Sequence, residues 1–136
     1  MKNSYLLDAT IIGHWLLHKD AQSQHIDSLI QDYLDGKIAL FISELTPYEM
    51  GNVLHYCVTD PDLSKKLFRA FLSLHIPVEK VSDTIAEHAL TVSSTYGTSF
   101  YDASYHSIAI AKNYTFLTRD SSYAKRTESL GNITVL

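Results

Sequence analysis

The sequence predicts an α/β fold: a three-layer α/β/α sandwich on a mainly parallel central sheet, in one domain covering residues 1–136. Three observations predict it. Short β-branched and aromatic runs recur at residues 4–7, 37–43, 75–81, 115–118 and 133–136. Helical periodicity fills each interval between them, the alternation expected of strands joined by helical crossovers. The 136 residues are 46% hydrophobic and 19% charged, which suits a single packed core rather than a disordered chain.

The elements follow in order. The first run ends at Asp8, and Ile11, Ile12, Trp15 and Leu16 then recur at helical spacing, so Asp8 stands at a strand-to-helix junction and can cap the helix. A second helix over 22–34 presents Ile26, Leu29, Ile30 and Tyr33 on one face and stops at Asp35-Gly36. Ile-Ala-Leu-Phe-Ile, within 37–43, is the near-continuous apolar run of a strand covered on both sides. Thr46-Pro47-Tyr48-Glu49 predicts a helix with Thr46 as its cap and Glu49 completing a capping box. That helix continues through Met50, Val53, Leu54 and Cys57, and Cys57 is expected to be a small buried apolar residue. Asp60-Pro61 opens another helix, with Leu63, Leu67, Phe71 and Leu74 on one face and Lys65, Lys66 and Arg69 on the solvated one. Pro77 places the third strand near a sheet edge. Ser82 caps a helix over 83–96 that turns Ile85, Ala89 and Val92 inward and breaks at Gly97. In the next helix Ala103, Tyr105, Ile108, Ala109 and Ala111 supply the apolar face, Ser99 the cap and Asn113 the left-handed stop. Residues 115–118 read as a buried strand ending just before Asp120, a short helix follows, and Gly131 leads into the last strand.

Four acids share one kind of position. Asp8 and Asp120 follow strands, and Glu49 and Asp102 lie in the first turns of helices. In a parallel sheet all four fall at the carboxyl edge, where open α/β sheets place their ligands. Each alone could be a capping residue. Together they form a group of like charges that needs protonation, basic partners or a cation, and only Arg119 flanks any of them in sequence. An all-oxygen donor set favours Mg2+ or Mn2+ over Zn2+. Such a site suits phosphodiester hydrolysis, in which one ion acidifies an attacking water and a second, about 3.5–4 Å away, stabilises the leaving oxygen.

Other classes are disfavoured. No apolar run approaches the roughly 18 residues of a membrane span, and the N-terminus is not patterned as a signal peptide. One cysteine excludes an internal disulfide and suits a reducing cytoplasm. A net charge of −4 argues against a broad basic face for nucleic acid. His14 and His18 are four apart with no HExxH pattern around them, and they read as surface or partly buried helix residues. Phosphate-binding glycine loops and the G-x-S-x-G elbow are absent.

The ordered set resembles a known family, the PIN domains, and in size and pattern the VapC-like toxin ribonucleases of bacterial toxin–antitoxin pairs. Leu-Leu-Asp8-Ala-Thr10 is similar to the family's first motif and Glu49-Met-Gly-Asn52 to its second. Tyr101-Asp102-Ala103-Ser104 and Leu117-Thr118-Arg119-Asp120 are similar to the third and fourth. The resemblance implies a Mg2+- or Mn2+-dependent endoribonuclease in which Asp8, Glu49, Asp102 and Asp120 hold the metal or its waters. It implies that Thr10, Asn52 and Thr118 orient those carboxylates. It also implies an RNA substrate, a homodimer, and a cognate antitoxin whose tail covers the acids. The chain departs from a strongly basic RNA binder, since its few cations near the motifs are Arg119, Lys112, Lys125 and Arg126. Two alternatives stay open: a PIN-type binding module for RNA or protein without turnover, and a phosphoacceptor receiver-like regulator. The latter lacks paired N-terminal acids and a lysine after a late strand.

Overall fold

The computed structural model describes residues 2–18, 20 and 23–136. Its five strands, β1 (Ser4–Leu7), β2 (Ala39–Ser43), β3 (Val78–Glu79), β4 (Thr115–Thr118) and β5 (Ile133–Val135), form one sheet in the order β3-β2-β1-β4-β5. Every pairing is parallel. Among the described residues seven α-helices connect them: α1 (Ala9–Leu17), α2 (Ser23–Leu34), α3 (Thr46–Cys57), α4 (Pro61–Leu72), α5 (Asp83–Tyr96), α6 (Phe100–Lys112) and α7 (Ser121–Arg126). One 3-10 turn, Glu128–Leu130, precedes β5. The predicted start of α2 at residue 22 lies outside the described residues. Among the described residues no helix is long and apolar enough to cross a membrane.

Two-residue alternation in the strands divides the core. Leu7, Leu40, Ile42 and Leu117 point to one face and pack against Ile11, Ile12, Ile26, Met50 and Phe71 from α1–α4. Leu6 and Phe116 point to the other, against Ile85, Tyr105, Ile108, Ala109 and Tyr123 from α5–α7. Ala89, Val92 and Ala103 let α5 and α6 pack against each other through small side chains. The result is the expected α/β/α arrangement. The strand order reverses direction beside β1: the chain moves outward through β2 and β3, then crosses to β4 and β5 on the other side. The crevice between β1 and β4 is therefore the topological switch point, where parallel sheets bind ligands.

Most helix ends match the sequence expectation. Asp60 caps α4 by accepting from the Asp62 N–H at 3.0 Å, and the Ser82 hydroxyl accepts from the Ile85 N–H at 3.3 Å. Asn113 closes α6 in the left-handed region, with φ 57°. β3 is a two-residue edge strand directly after Pro77, as a proline there dictates.

Three expectations are corrected. Thr46 is not the cap of α3 but its first residue; Leu45 takes the cap position and no side chain caps it. The hydroxyl and the carboxylate that would have formed the capping box are both engaged with Tyr105 instead. Cys57 is exposed. It is the last residue of α3, and the buried stripe of that helix, Thr46, Met50 and Leu54, has ended a turn before it. Ala111 is exposed as well, because the buried face of α6 runs no further than Ala109. His14 is buried and His18 exposed. Lys65, Lys66 and Arg69 lie on the exposed side of α4.

Candidate metal-dependent nuclease site

Asp8 is the hub. It is only 5% exposed, directly after β1 and beside the switch point. Its Oδ1 accepts from the Thr10 N–H at 3.0 Å, the Thr10 hydroxyl, and the Ile11 N–H at 3.4 Å. Its Oδ2 accepts from the Thr118 hydroxyl at 2.6 Å. Asp8 is thus both the cap the sequence predicted and something more. Oδ1 is saturated, while Oδ2 keeps a lone pair for a further partner. The two threonines also reach across to the loop after β4. Thr10 Oγ1 accepts from the Arg119 N–H at 3.1 Å, and Thr118 Oγ1 accepts from the Asp120 N–H at 3.0 Å. Each hydroxyl therefore donates to Asp8 and accepts from the β4–α7 loop, which fixes that loop, and Asp120 with it, against Asp8. Burial raises the Asp8 carboxyl above its ordinary value despite these bonds.

Glu49, in the first turn of α3, is half-buried and held by a residue that the sequence reading placed only in the core. Tyr105 is 1% exposed, and its hydroxyl donates to Glu49 Oε1 at 3.3 Å while lying 2.8 Å from Thr46 Oγ1. Since the phenol's one proton goes to Glu49, the Thr46 hydroxyl must donate to the phenol oxygen. Thr46 in turn accepts from the Ser43 N–H at 3.1 Å. Every proton in this chain from β2 to Glu49 is thereby assigned. Burial, with Glu49 and Asp8 close by, raises the Tyr105 hydroxyl so far that it remains a neutral donor. Tyr105→Phe should lower stability by about 1–2 kcal/mol, because the Thr46 hydroxyl loses its buried acceptor and Glu49 its donor. Urea denaturation checks this; an unchanged midpoint would show that the relay contributes nothing.

Asp102 lies in the first turn of α6, whose cap is the predicted Ser99: its hydroxyl accepts from the Asp102 N–H at 3.1 Å. That bond uses the backbone of Asp102 and leaves its carboxylate to the site. Asp120 caps α7, Oδ1 accepting from the Tyr123 N–H at 2.9 Å. Tyr123 is anchored from behind by His106. The His106 Nε2–H donates to the Gly131 carbonyl at 2.7 Å, so Nδ1 accepts from the Tyr123 hydroxyl at 3.0 Å. Burial holds the His106 ring below its ordinary pKa, which keeps this tautomer neutral. Asn52 is exposed and bonds to no carboxylate among the described residues, so the structure gives it no orienting contact.

The four acids feel one another as a chain. Burial raises Glu49, and Asp8 and Asp102 raise it further. Burial raises Asp102, and Asp120 adds to it. Among the described residues no basic side chain lowers the carboxyl of Asp8, Glu49 or Asp102. Arg119, the one cation adjacent in sequence, donates through Nη1 to the Leu136 carbonyl at 3.3 Å. A hollow of about 310 Å3 lies on one side of the acids, lined by Thr10, His14, Glu49, Val53 and Arg119 among others. One of about 220 Å3 lies on the other, lined by Thr98, Ser99, Asp102, Asp120, Ser122 and Arg126 among others. Among the described residues no three His, Cys, Asp or Glu side chains converge closely enough to enclose an ion. Oxygen is the only donor atom the four acids offer, which is the donor chemistry of a hard divalent cation.

The fold is shared with known proteins. The chain is similar to VapBC2 from Rickettsia felis, solved bound to a promoter DNA fragment: 18% identity, 98% of this chain and 97% of that one, TM-score 0.69. It is similar to PAE2754 from Pyrobaculum aerophilum at 23% identity, covering 99% and 90% of the two chains, TM-score 0.70. Mycobacterium tuberculosis VapC20, described as a sarcin–ricin loop cleaving toxin, is 16% identical over 88% and 94%, TM-score 0.66. No curated protein matches the chain. Identities this low speak to the fold alone, but residues 5–128 match the PIN domain family itself, and this span includes all four acids and both threonines. The chain belongs to the PIN domain family.

Proposed function

We propose that this protein is a Mg2+- or Mn2+-dependent endoribonuclease and the toxin of a toxin–antitoxin pair. The observation that carries the reading is the run of mutually repelling carboxylates Asp8–Glu49–Asp102–Asp120 at the switch-point edge, with no basic side chain among the described residues compensating the first three. The structural likenesses agree with it, one of them being a toxin–antitoxin complex from Klebsiella pneumoniae. Asp8 Oδ2, Glu49, Asp102 and Asp120 would hold the ion or its waters. The bound ion supplies Lewis acidity and an acidified water.

The protein's own residues do the rest. Thr10 and Thr118 fix the Asp8 carboxylate by donating to both of its oxygens, so the reacting edge is set before substrate arrives. Tyr105 holds Glu49 in one orientation and favours its ionised form. Asp120, held by the Tyr123 N–H and by its own backbone bond to Thr118, closes the edge opposite Glu49. A cognate antitoxin with a basic tail, and a second copy of the chain, complete the reading as partners. Purified protein incubated with tRNA, rRNA and mRNA tests it. Cleavage should require Mg2+ or Mn2+ and vanish in Asp102→Asn. Intact RNA at high protein concentration would overturn it and leave the binding-module alternative.

A further inference from the structure

We propose that the hollow beside Asp102 and Asp120 seats the RNA phosphate next to the one being cleaved, with Arg126 as its anchor. The proposal deepens the endonuclease reading and rests on it. The hollow of about 220 Å3 has a polar lining: the Thr98, Ser99 and Ser122 hydroxyls, the two carboxylates, the Tyr123 rim and one cation, Arg126. Arg126 is tethered at the mouth. Its Nη1 donates to the Gly97 carbonyl at 2.8 Å, at the left-handed cap that ends α5. Among the described residues its other four N–H groups have no protein partner, so an exposed guanidinium tethered by one hydrogen bond has most of its donors open. The planar guanidinium fork matches phosphate oxygens.

The surroundings narrow the ligand. A free anion would be repelled by Asp102 and Asp120 in the same hollow. A polynucleotide avoids this, because the phosphate at the acids is neutralised by the cation bound there while its neighbour reaches Arg126. The spare hydroxyls suit the same ligand. Ser122 has no protein partner among the described residues, and Ser99 spends its oxygen on the Asp102 N–H but keeps its own proton to donate. In a chain of net charge −4, the strand is anchored by single cations beside the acids and not by a broad basic face. The competing account is that Arg126 serves only as a clasp on the Gly97 carbonyl, since cations at helix C-termini are stabilising in themselves.

Salt dependence separates the two. Binding of a short fluorescent single-stranded RNA is measured by anisotropy with Ca2+ across a KCl series, and cleavage is followed in parallel with Mg2+, for the wild type, Arg126→Gln, Arg126→Lys and Lys37→Gln. Lys37 precedes β2 and lies at the opposite edge of the sheet, so its loss changes net charge equally without touching the site. Arg126→Gln should reduce the slope of log affinity against log salt by about 0.7, one phosphate contact on a single strand. It should raise KM about tenfold while kcat stays within about twofold. Arg126→Lys should keep the slope, and Lys37→Gln should behave as wild type. A wild-type slope in Arg126→Gln, even with a lowered melting temperature, would make Arg126 a clasp only and overturn the proposal. An equal loss in Lys37→Gln would overturn it too, by showing diffuse attraction. RNA bound with the expected slopes but never cut would sink the endonuclease reading while leaving the phosphate seat intact. Neither binding nor cleavage would sink both.

Discussion

Asp8→Ala and Asp102→Asn are expected to abolish metal-dependent cleavage alike, by at least about 100-fold, and to move stability in opposite directions. The difference lies in what each carboxylate holds. Asp8 caps α1 and is the acceptor for two hydroxyls, one of them, Thr118, buried. Alanine there removes a cap, a loss of about 0.5–2 kcal/mol, and strands the Thr118 hydroxyl, a further 1–3 kcal/mol or so. Relief of a buried carboxylate offsets part of this. A fall of about 3–8 °C in melting temperature is expected. Asp102 caps nothing with its side chain, since the cap bond of α6 runs from its backbone to Ser99. Its carboxylate is disfavoured by burial and by Asp120, and it in turn repels Glu49. Asparagine keeps the size and removes the charge, so the variant should melt about 1–4 °C higher in metal-free buffer, a modest gain because the group is partly solvated. Thermal melts beside cleavage assays check both. An Asp102→Asn protein less stable than wild type would mean that its charge is not repelled, and the acid cluster would lose its main support.

The second large effect is on the pH dependence of stability, and a divalent ion should erase it. Asp8, Glu49 and Asp102 all have folded-state pKa values raised above their ordinary ones. As pH falls from neutral toward the ordinary carboxylate range, the native state takes up protons before the unfolded chain does, so these groups make the protein more stable. His106 has the opposite sign. Its folded pKa is lowered, so below about 6.5 the unfolded chain protonates first and stability is lost. With three acids against one histidine, melting temperature in EDTA should rise between pH 7 and pH 5, and more steeply in His106→Gln. An ion at about 100 times its Kd adds about 2.7 kcal/mol at pH 7. A bound ion keeps these carboxylates ionised in the native state and so removes their gain on acidification, and melting temperature with saturating Mn2+ should rise much less toward pH 5 than it does in EDTA. A curve that falls on acidification in EDTA would contradict the raised carboxylates.

How much of this was legible depended on the range over which each residue acts. The strands, the cap residues Asp8, Asp60, Ser82 and Ser99, and the stop at Asn113 are local events within a few residues, and their patterns stand in the sequence. The four acids were legible as a set because a parallel sheet brings every strand end to one edge. What links them was legible only in part: the resemblance pointed to Thr10 and Thr118, and nothing pointed to Tyr105. Thr118 reaches Asp8 from 110 residues away, and Tyr105 reaches Thr46 and Glu49 from 59 and 56. In sequence Tyr105 is one more apolar position on a helix face, and nothing marks its hydroxyl as Glu49's partner. The same long-range bond undid the capping-box reading: Thr46 and Glu49 have the right spacing for one another, but a buried phenol competes for both. Cys57 was misjudged because periodicity gives the face of a helix and not where along its length the core stops. Arg126 stood out only as one of several cations; its place beside Asp102 comes from the packing of α7 against the α5–α6 turn.

The proposed function requires Asp8, Glu49, Asp102 and Asp120 to act together as one divalent-cation site. Calorimetric titration with Mn2+ tests it most directly, on wild type, the four single Asp→Asn or Glu→Gln variants, and Asp62→Asn on the exposed side of α4 as a control. Saturable binding to wild type is expected, weakened about tenfold or more in Asp8→Asn, Glu49→Gln and Asp102→Asn, reduced in Asp120→Asn, and unchanged in Asp62→Asn. No binding to wild type, or the same affinity in every variant, would contradict the account.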